Sequence, residues 1–193
     1  MVRKIILASN SPRRRQLLEG LDIPFEVRVM PNIDEGYPDD TDVDNIAEYI
    51  AREKSSAYDN IVGDGEVVIT ADTIVVVDNV VLGKPHSRED AVDMLKTLSG
   101  CTHKVITGVC LLSKKERRSF SVTTKVTFKQ LSDDEIAYYV DTYKPFDKAG
   151  AYGIQEWIGY IGVTRLEGSY FNVMGLPVQR IWDELARLNI SCV

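Results

Sequence analysis

An apolar run and a helix start abut with almost no linker between them. Lys4 to Ser9 reads as a buried strand, and Ser11-Pro12 supplies a capping hydroxyl and a proline at the first helical position. A strand that turns straight into a helix points to an α/β architecture. The helix then opens on Arg13-Arg14-Arg15, where the end of the macrodipole is already positive. Each arginine there is unfavourable by about 0.3 to 1 kcal/mol unless an anion sits at the turn. Free backbone N–H groups and guanidinium forks would together bind phosphate oxygens. The alternative is a solvated basic turn whose stems cover apolar surface.

The remainder alternates in the same way. Thr41 to Tyr58 carries Val43, Ile46, Ala47, Ile50 and Ala51 as a helical stripe, with Thr41 as N-cap. Lys54 continues that stripe; such a lysine either snorkels to water or faces a cleft. Glu66 to Gly83 is the strongest β region: a buried strand runs to Val77, Asp78-Asn79 turns, and Val80 to Leu82 returns. Ser87 to Leu98 is a capped helix closed by Gly100. Lys104 to Leu112 and Ser119 to Phe128 form a second hairpin, and Ser132 to Glu135 is a capping box for a helix through Tyr143. Lys144 to Gly153 reads as a ligand-facing loop, Tyr160 to Leu166 as a strand, and Pro177 to Leu188 as a packing helix with Val178, Ile181, Trp182, Leu185 and Leu188 on one face.

Asp72 lies inside the most hydrophobic stretch, where a carboxylate is costly unless a cation, a metal or hydrogen bonds hold it. It is the first catalytic candidate, the alternative being an aspartate that bonds turn amides. Simple two-residue register at Asp78-Asn79 sets Lys84 opposite Thr73, with Gly83 a site for a bulge. Glu35, beside Asp34, could join Asp72 as an oxygen ligand for magnesium or manganese, or belong to a solvated acidic loop. His86 and His103 lack zinc spacing, and Gly63-Asp64-Gly65 stands in the wrong order for a dinucleotide fingerprint. No P-loop is present, so bound phosphate would fall to the arginine turn.

Net charge −6 makes the arginines a local positive spot on an acidic chain, which argues against non-specific nucleic-acid binding and suits a small anion. At 193 residues one folding unit is expected, a single domain over 1–193 with two lobes. Neither a bilayer-spanning run nor a signal peptide is evident, so a cytoplasmic protein is expected. Cys101, Cys110 and Cys192 are scattered and fit reduced, structural thiols.

Taken together, Leu7 to Arg14, Ala51 to Lys54, Ala71 to Thr73, Leu82 to Pro85, Ser99-Gly100 with His103 and Thr107 to Val109, Asp147 to Gln155, and Gly168 to Pro177 resemble the Maf family of nucleotide pyrophosphatases. The resemblance runs from Ile6 to about Leu188. It implies an elongated mixed sheet flanked by helices, two lobes with a central cleft, similar to inosine triphosphate pyrophosphatase-like folds. It also implies hydrolysis of a nucleoside triphosphate to the monophosphate and pyrophosphate with a divalent cation, Mg, Mn or Co. Asp72 matches the proton acceptor of the family; Arg13, Thr73 and Gln155 match specificity positions. Ser9, Arg14, Glu35, Lys54 and Lys84 match residues that serve phosphate, metal or catalytic contacts. The stretch Lys148 to Gln155 resembles the branch acting on dTTP and UTP, while Glu156-Trp157-Ile158-Gly159 departs from relatives that carry glycine after the glutamine. A homodimer is compatible with the resemblance; a nucleotidyltransferase and a non-catalytic nucleotide-binding regulator are the rival functions.

Overall fold

A computed structural model describes residues 4 to 188. Its seven strands form one mixed sheet in the order β2-β1-β3-β5-β6-β7, with β4 paired to β3. β1 (Lys4–Leu7) lies parallel to both β2 (Phe25–Val27) and β3 (Glu66–Val77). β4 (Val80–Leu82) folds back antiparallel on β3, and β7 (Val163–Glu167) is antiparallel to β6 (Arg117–Phe128). The remaining strand, β5, spans Thr102–Ser113. The helices are α1 (Pro12–Glu19), α2 (Ile46–Ser56), α3 (Arg88–Leu98), α4 (Asp133–Tyr143), α5 (Trp157–Gly162), α6 (Tyr170–Met174) and α7 (Val178–Arg187).

Residue contacts divide the chain into two compact units. The first comprises the chain up to Asp72, Thr107–Val122 and the chain from Gly175; the second comprises Thr73–Ile106 and Thr123–Met174. In the first, Ile6, Val68 and Leu112 from three strands pack with Tyr58 and Val62, and Met30 and Ile33 close over them. In the second, Leu95 and Leu98 of α3, Ile136 and Tyr139 of α4, and Phe128 of β6 bury one another.

Most local signals produce the expected elements. Ser11 caps α1 by accepting from the Arg14 N–H at 3.4 Å, and Ser132 with Glu135 makes the capping box of α4. Asp78 and Asn79 both take positive φ, as a two-residue hairpin turn requires, and the register is Val77 with Val80 through Val75 with Leu82.

Three expectations are corrected. Asp42, not Thr41, is the cap before α2: its side chain accepts from Asp44 N at 2.8 Å and opens a 3₁₀ turn, Val43–Asn45, that precedes the helix. Tyr160, Ile161 and Gly162 are helical and not part of a strand, because Ile158 and Gly162 at helical spacing are buried while Tyr160 is 83% exposed. Pairing of β4 with β3 stops at Leu82, so Gly83 lies past the ladder and not in a bulge within it, and its carbonyl accepts from Gly150 N at 3.0 Å. Cys110 is buried with its thiol on Ser55, Cys101 is half-buried, and Cys192 lies outside the described residues. Among the described residues no helix is long and apolar enough to cross a membrane.

Candidate active site

The first unit brings Asp72, Lys54 and Glu35 together. α2 lies on the sheet through a stripe of small residues, Ala47, Ala51 and Ser55, all buried. Opposite them is Gly108 of β5, where a Cβ would stand 2.2 Å from the backbone of Ala47. Thr70 of β3 donates to Ala51 O at 2.6 Å, and the Cys110 thiol donates to Ser55 Oγ at 3.3 Å. This close seating fixes Lys54, in the last turn of α2, over the β3 strand.

Lys54 Nζ is 2.7 Å from Asp72 Oδ1 and 2.8 Å from Glu35 Oε1. Its side chain is 13% exposed, that of Asp72 15%, and that of Glu35 55%. The lysine does not snorkel to water; its charge is spent on two acids. A buried ion pair of this kind stands only if partners compensate the lost hydration. Tyr58, four residues after Lys54, holds the segment that leads to Glu35: its hydroxyl donates to Arg28 O and accepts from Met30 N, each at 2.9 Å. No sequence signal singled out Tyr58, although its i, i+4 relation to Lys54 was readable.

The arginine turn separates into unlike members. Arg14 Nε donates to Gly175 O at 2.8 Å and Arg14 Nη1 to Ala71 O at 2.9 Å, so one guanidinium ties the residue before Asp72 to the start of α7's approach segment. Burial pulls the Arg14 pKa down, and the charges of Asp72 and Glu35 pull it back up against that of Arg13. Arg13 is half-buried beside it, and Arg15 forms an i, i+4 pair with Glu19 at the surface. Ser9 Oγ accepts from Ser11 N at 3.2 Å, shaping the turn. The three cations are therefore not an undivided anion cradle.

Lys84 is exposed beyond the last paired residue of β4, and Thr73 is half-buried in β3. Gln155 is half-buried in the second unit, and its Oε1 is fully buried with no hydrogen-bond partner among the described residues. His103 is also buried there, bonded through Nε2 to Tyr152 OH at 2.7 Å; burial lowers its pKa to about 4. That neutral histidine packs against Phe128 and Tyr152 and is a core residue.

Among the described residues no group of three or more His, Cys, Asp and Glu could hold a metal. Glu35 and Asp72 nevertheless converge on one ammonium, and two carboxylates on one spot are the oxygen donors that a hard divalent cation takes from protein alongside the oxygens of a phosphate substrate. The donor set fits.

Comparison with known proteins places the chain among similar sequences and folds. The chain is 61% identical to a dTTP/UTP pyrophosphatase of Phocaeicola vulgatus over 185 residues, 96% of each chain. It is 59% identical to a dTTP/UTP pyrophosphatase of Parabacteroides distasonis, over 94% of each. Among solved structures, the Staphylococcus aureus Ham1 protein superposes with a TM-score of 0.57 at 15% identity, covering 96% of this chain and 99% of the other. A HAM1 protein from Coxiella burnetii gives 0.51 at 12%, covering 96% and 100%. These last two share the α/β fold. The family model described as Maf-like protein matches residues 4–188, nearly the whole chain, and this chain belongs to the Maf-like family.

Proposed function

We propose that this protein hydrolyses pyrimidine nucleoside triphosphates, dTTP and UTP foremost, to the monophosphate and pyrophosphate. The observation that carries the reading is the placement of Lys54 between Glu35 and Asp72, with Arg14 bonded to the residue before Asp72. Relatives more than half identical, matched over nearly their whole length, bear the name of that activity.

Asp72 acts as the proton acceptor for the attacking water, with Lys54 holding its carboxylate in place by a charge-assisted hydrogen bond. Glu35 and Asp72 would hold a divalent cation, Mg, Mn or Co, which would offset charge on the phosphates. Arg13, Arg14 and Ser9 serve the phosphate side, and preorganised cations there stabilise charge that builds on the leaving pyrophosphate. Lys84 adds a further cation. Thr73 and Gln155 discriminate the base. Uracil and thymine share an acceptor, donor, acceptor edge, and the buried Gln155 Oε1 calls for a donor such as their N3–H. The reading takes the protein as cytoplasmic, able to form a homodimer, with a nucleotide as its ligand and no stable nucleic-acid partner.

The test is incubation of the purified protein with dTTP, UTP, CTP and methylated GTP under each of the three cations, separating pyrophosphate from orthophosphate. Pyrophosphate released fastest from dTTP and UTP is the expected result. Orthophosphate as first product would overturn the reading, as would nucleotide recovered intact.

A further inference from the structure

We infer that Tyr139, Lys148 and Glu156 form a positioning cluster that fixes the Gln155 amide and so sets the choice between pyrimidine bases, an inference that rests on the base-reading role of Gln155. The turn from Gly153 to Glu156 is tied at each end. Glu156 N donates to Gly153 O at 3.0 Å, and Gly153 N donates to Tyr139 OH, also at 3.0 Å. The same tyrosine hydroxyl donates to Glu156 Oε2, while Lys148 Nζ lies 3.1 Å from Glu156 Oε1 and 2.7 Å from Asp147 Oδ1. One carboxylate thereby joins α4, the loop after it and the start of α5.

Gln155 projects from the middle of this turn. The packing is close: a Cβ on Gly153 would stand 3.0 Å from Gln155 Nε2 and 2.9 Å from the Glu156 carboxyl carbon. Such rigidity matters because a glutamine amide is two-faced. Held one way, its oxygen accepts from the N3–H of uracil or thymine; rotated by half a turn, it offers N–H to the N3 acceptor of cytosine. A free amide reads both bases, whereas a fixed one rejects the base that leaves its buried acceptor unpaired. The cluster supplies the fixing, and Glu156 occupies the position where the resemblance led one to expect glycine.

The experiment measures kcat and KM for UTP and CTP in the full-length protein and in Tyr139→Phe, Glu156→Ala, Glu156→Gln and Gln155→Ala, each checked for fold by circular dichroism. Tyr139→Phe and Glu156→Ala are expected to lower the UTP to CTP ratio of kcat/KM at least tenfold, chiefly through KM. Glu156→Gln keeps the volume and still accepts from Tyr139, so it should retain most of the ratio, and Tyr139→Phe alone decides the case in which the alanine variant fails to fold. If Gln155→Ala collapses the ratio while folded Tyr139→Phe and Glu156→Ala leave it within twofold of the parent, the positioning inference is overturned and base reading stands. If Gln155→Ala itself leaves the ratio unchanged, base reading by Gln155 fails and the inference falls with it.

Discussion

Asp72 meets a partner in a mostly buried strand because Lys54 is delivered to it from a helix, and Arg14 braces the carbonyl next door. Replacing it by asparagine removes the charge with little change of volume. Turnover of UTP is expected to fall by a factor of about 10² or more while the far-ultraviolet spectrum is unchanged. An Asp72→Asn protein with parental kcat would take this carboxylate out of the reaction. That Asp72 needed a cation could be read from its apolar flanks; which cation could not. Lys84 was the nearest in hairpin register, but Lys54 meets Asp72 from α2 across a gap of 18 residues, a contact that only tertiary packing creates. Arg14 misled in another way. Its place in a helix N-terminus spoke of an anion, yet two of its bonds run to the carbonyls of Ala71 and Gly175, and backbone acceptors leave no mark in a sequence.

At the level of elements, the seating of α2 on the sheet governs the site. Gly108 permits it: an added methyl would meet the Ala47 carbonyl at 2.2 Å, with backbone and not a flexible side chain in the way. Gly108→Ala is expected to cost about 3 kcal/mol in urea unfolding and to lower activity further by lifting Lys54 from Asp72. A variant of parental stability would show that α2 can shift without penalty. Elements signalled by adjacent residues were legible, as at the Ser132 to Glu135 capping box and the Asp78-Asn79 turn. α5 was not. Tyr160 to Leu166 is aromatic and β-branched enough to read as a strand, but Ile158 and Gly162 turn to the core together, and position 159 accepts only glycine because an added Cβ would lie 1.8 Å from Ile154 O. Burial overrode propensity there. Glu184 leaves a signal of its own in the sequence: it stands on the apolar face of α7 and is buried against Arg180, Arg187 and Arg118.

For the molecule as a whole, each unit carries its own acid sensitivity. In the first, paired bonds from Arg28 and the Gly63 N–H hold the Glu66 carboxyl at about 2, so its contribution is complete above the ordinary glutamate range and is lost as pH falls toward 2. With Arg28 about a third exposed, that contribution is on the order of 1 kcal/mol. In the second, His103 is held neutral at a pKa of about 4 against 6.5 unfolded. The unfolded chain takes up that proton first, so stability drops as pH falls from 6.5 to 4, by about 2 kcal/mol at pH 5. The urea midpoint of the parent should decline between pH 7 and pH 5, and His103→Gln, which retains a partner for Tyr152 but no titrating ring, should flatten that decline. Equal slopes for the two proteins would remove His103 as the cause. Four passages of the chain, after Asp72, Ile106, Val122 and Met174, interleave these units. No single cut releases either one whole, so neither can be gained, lost or swapped by simple gene fusion.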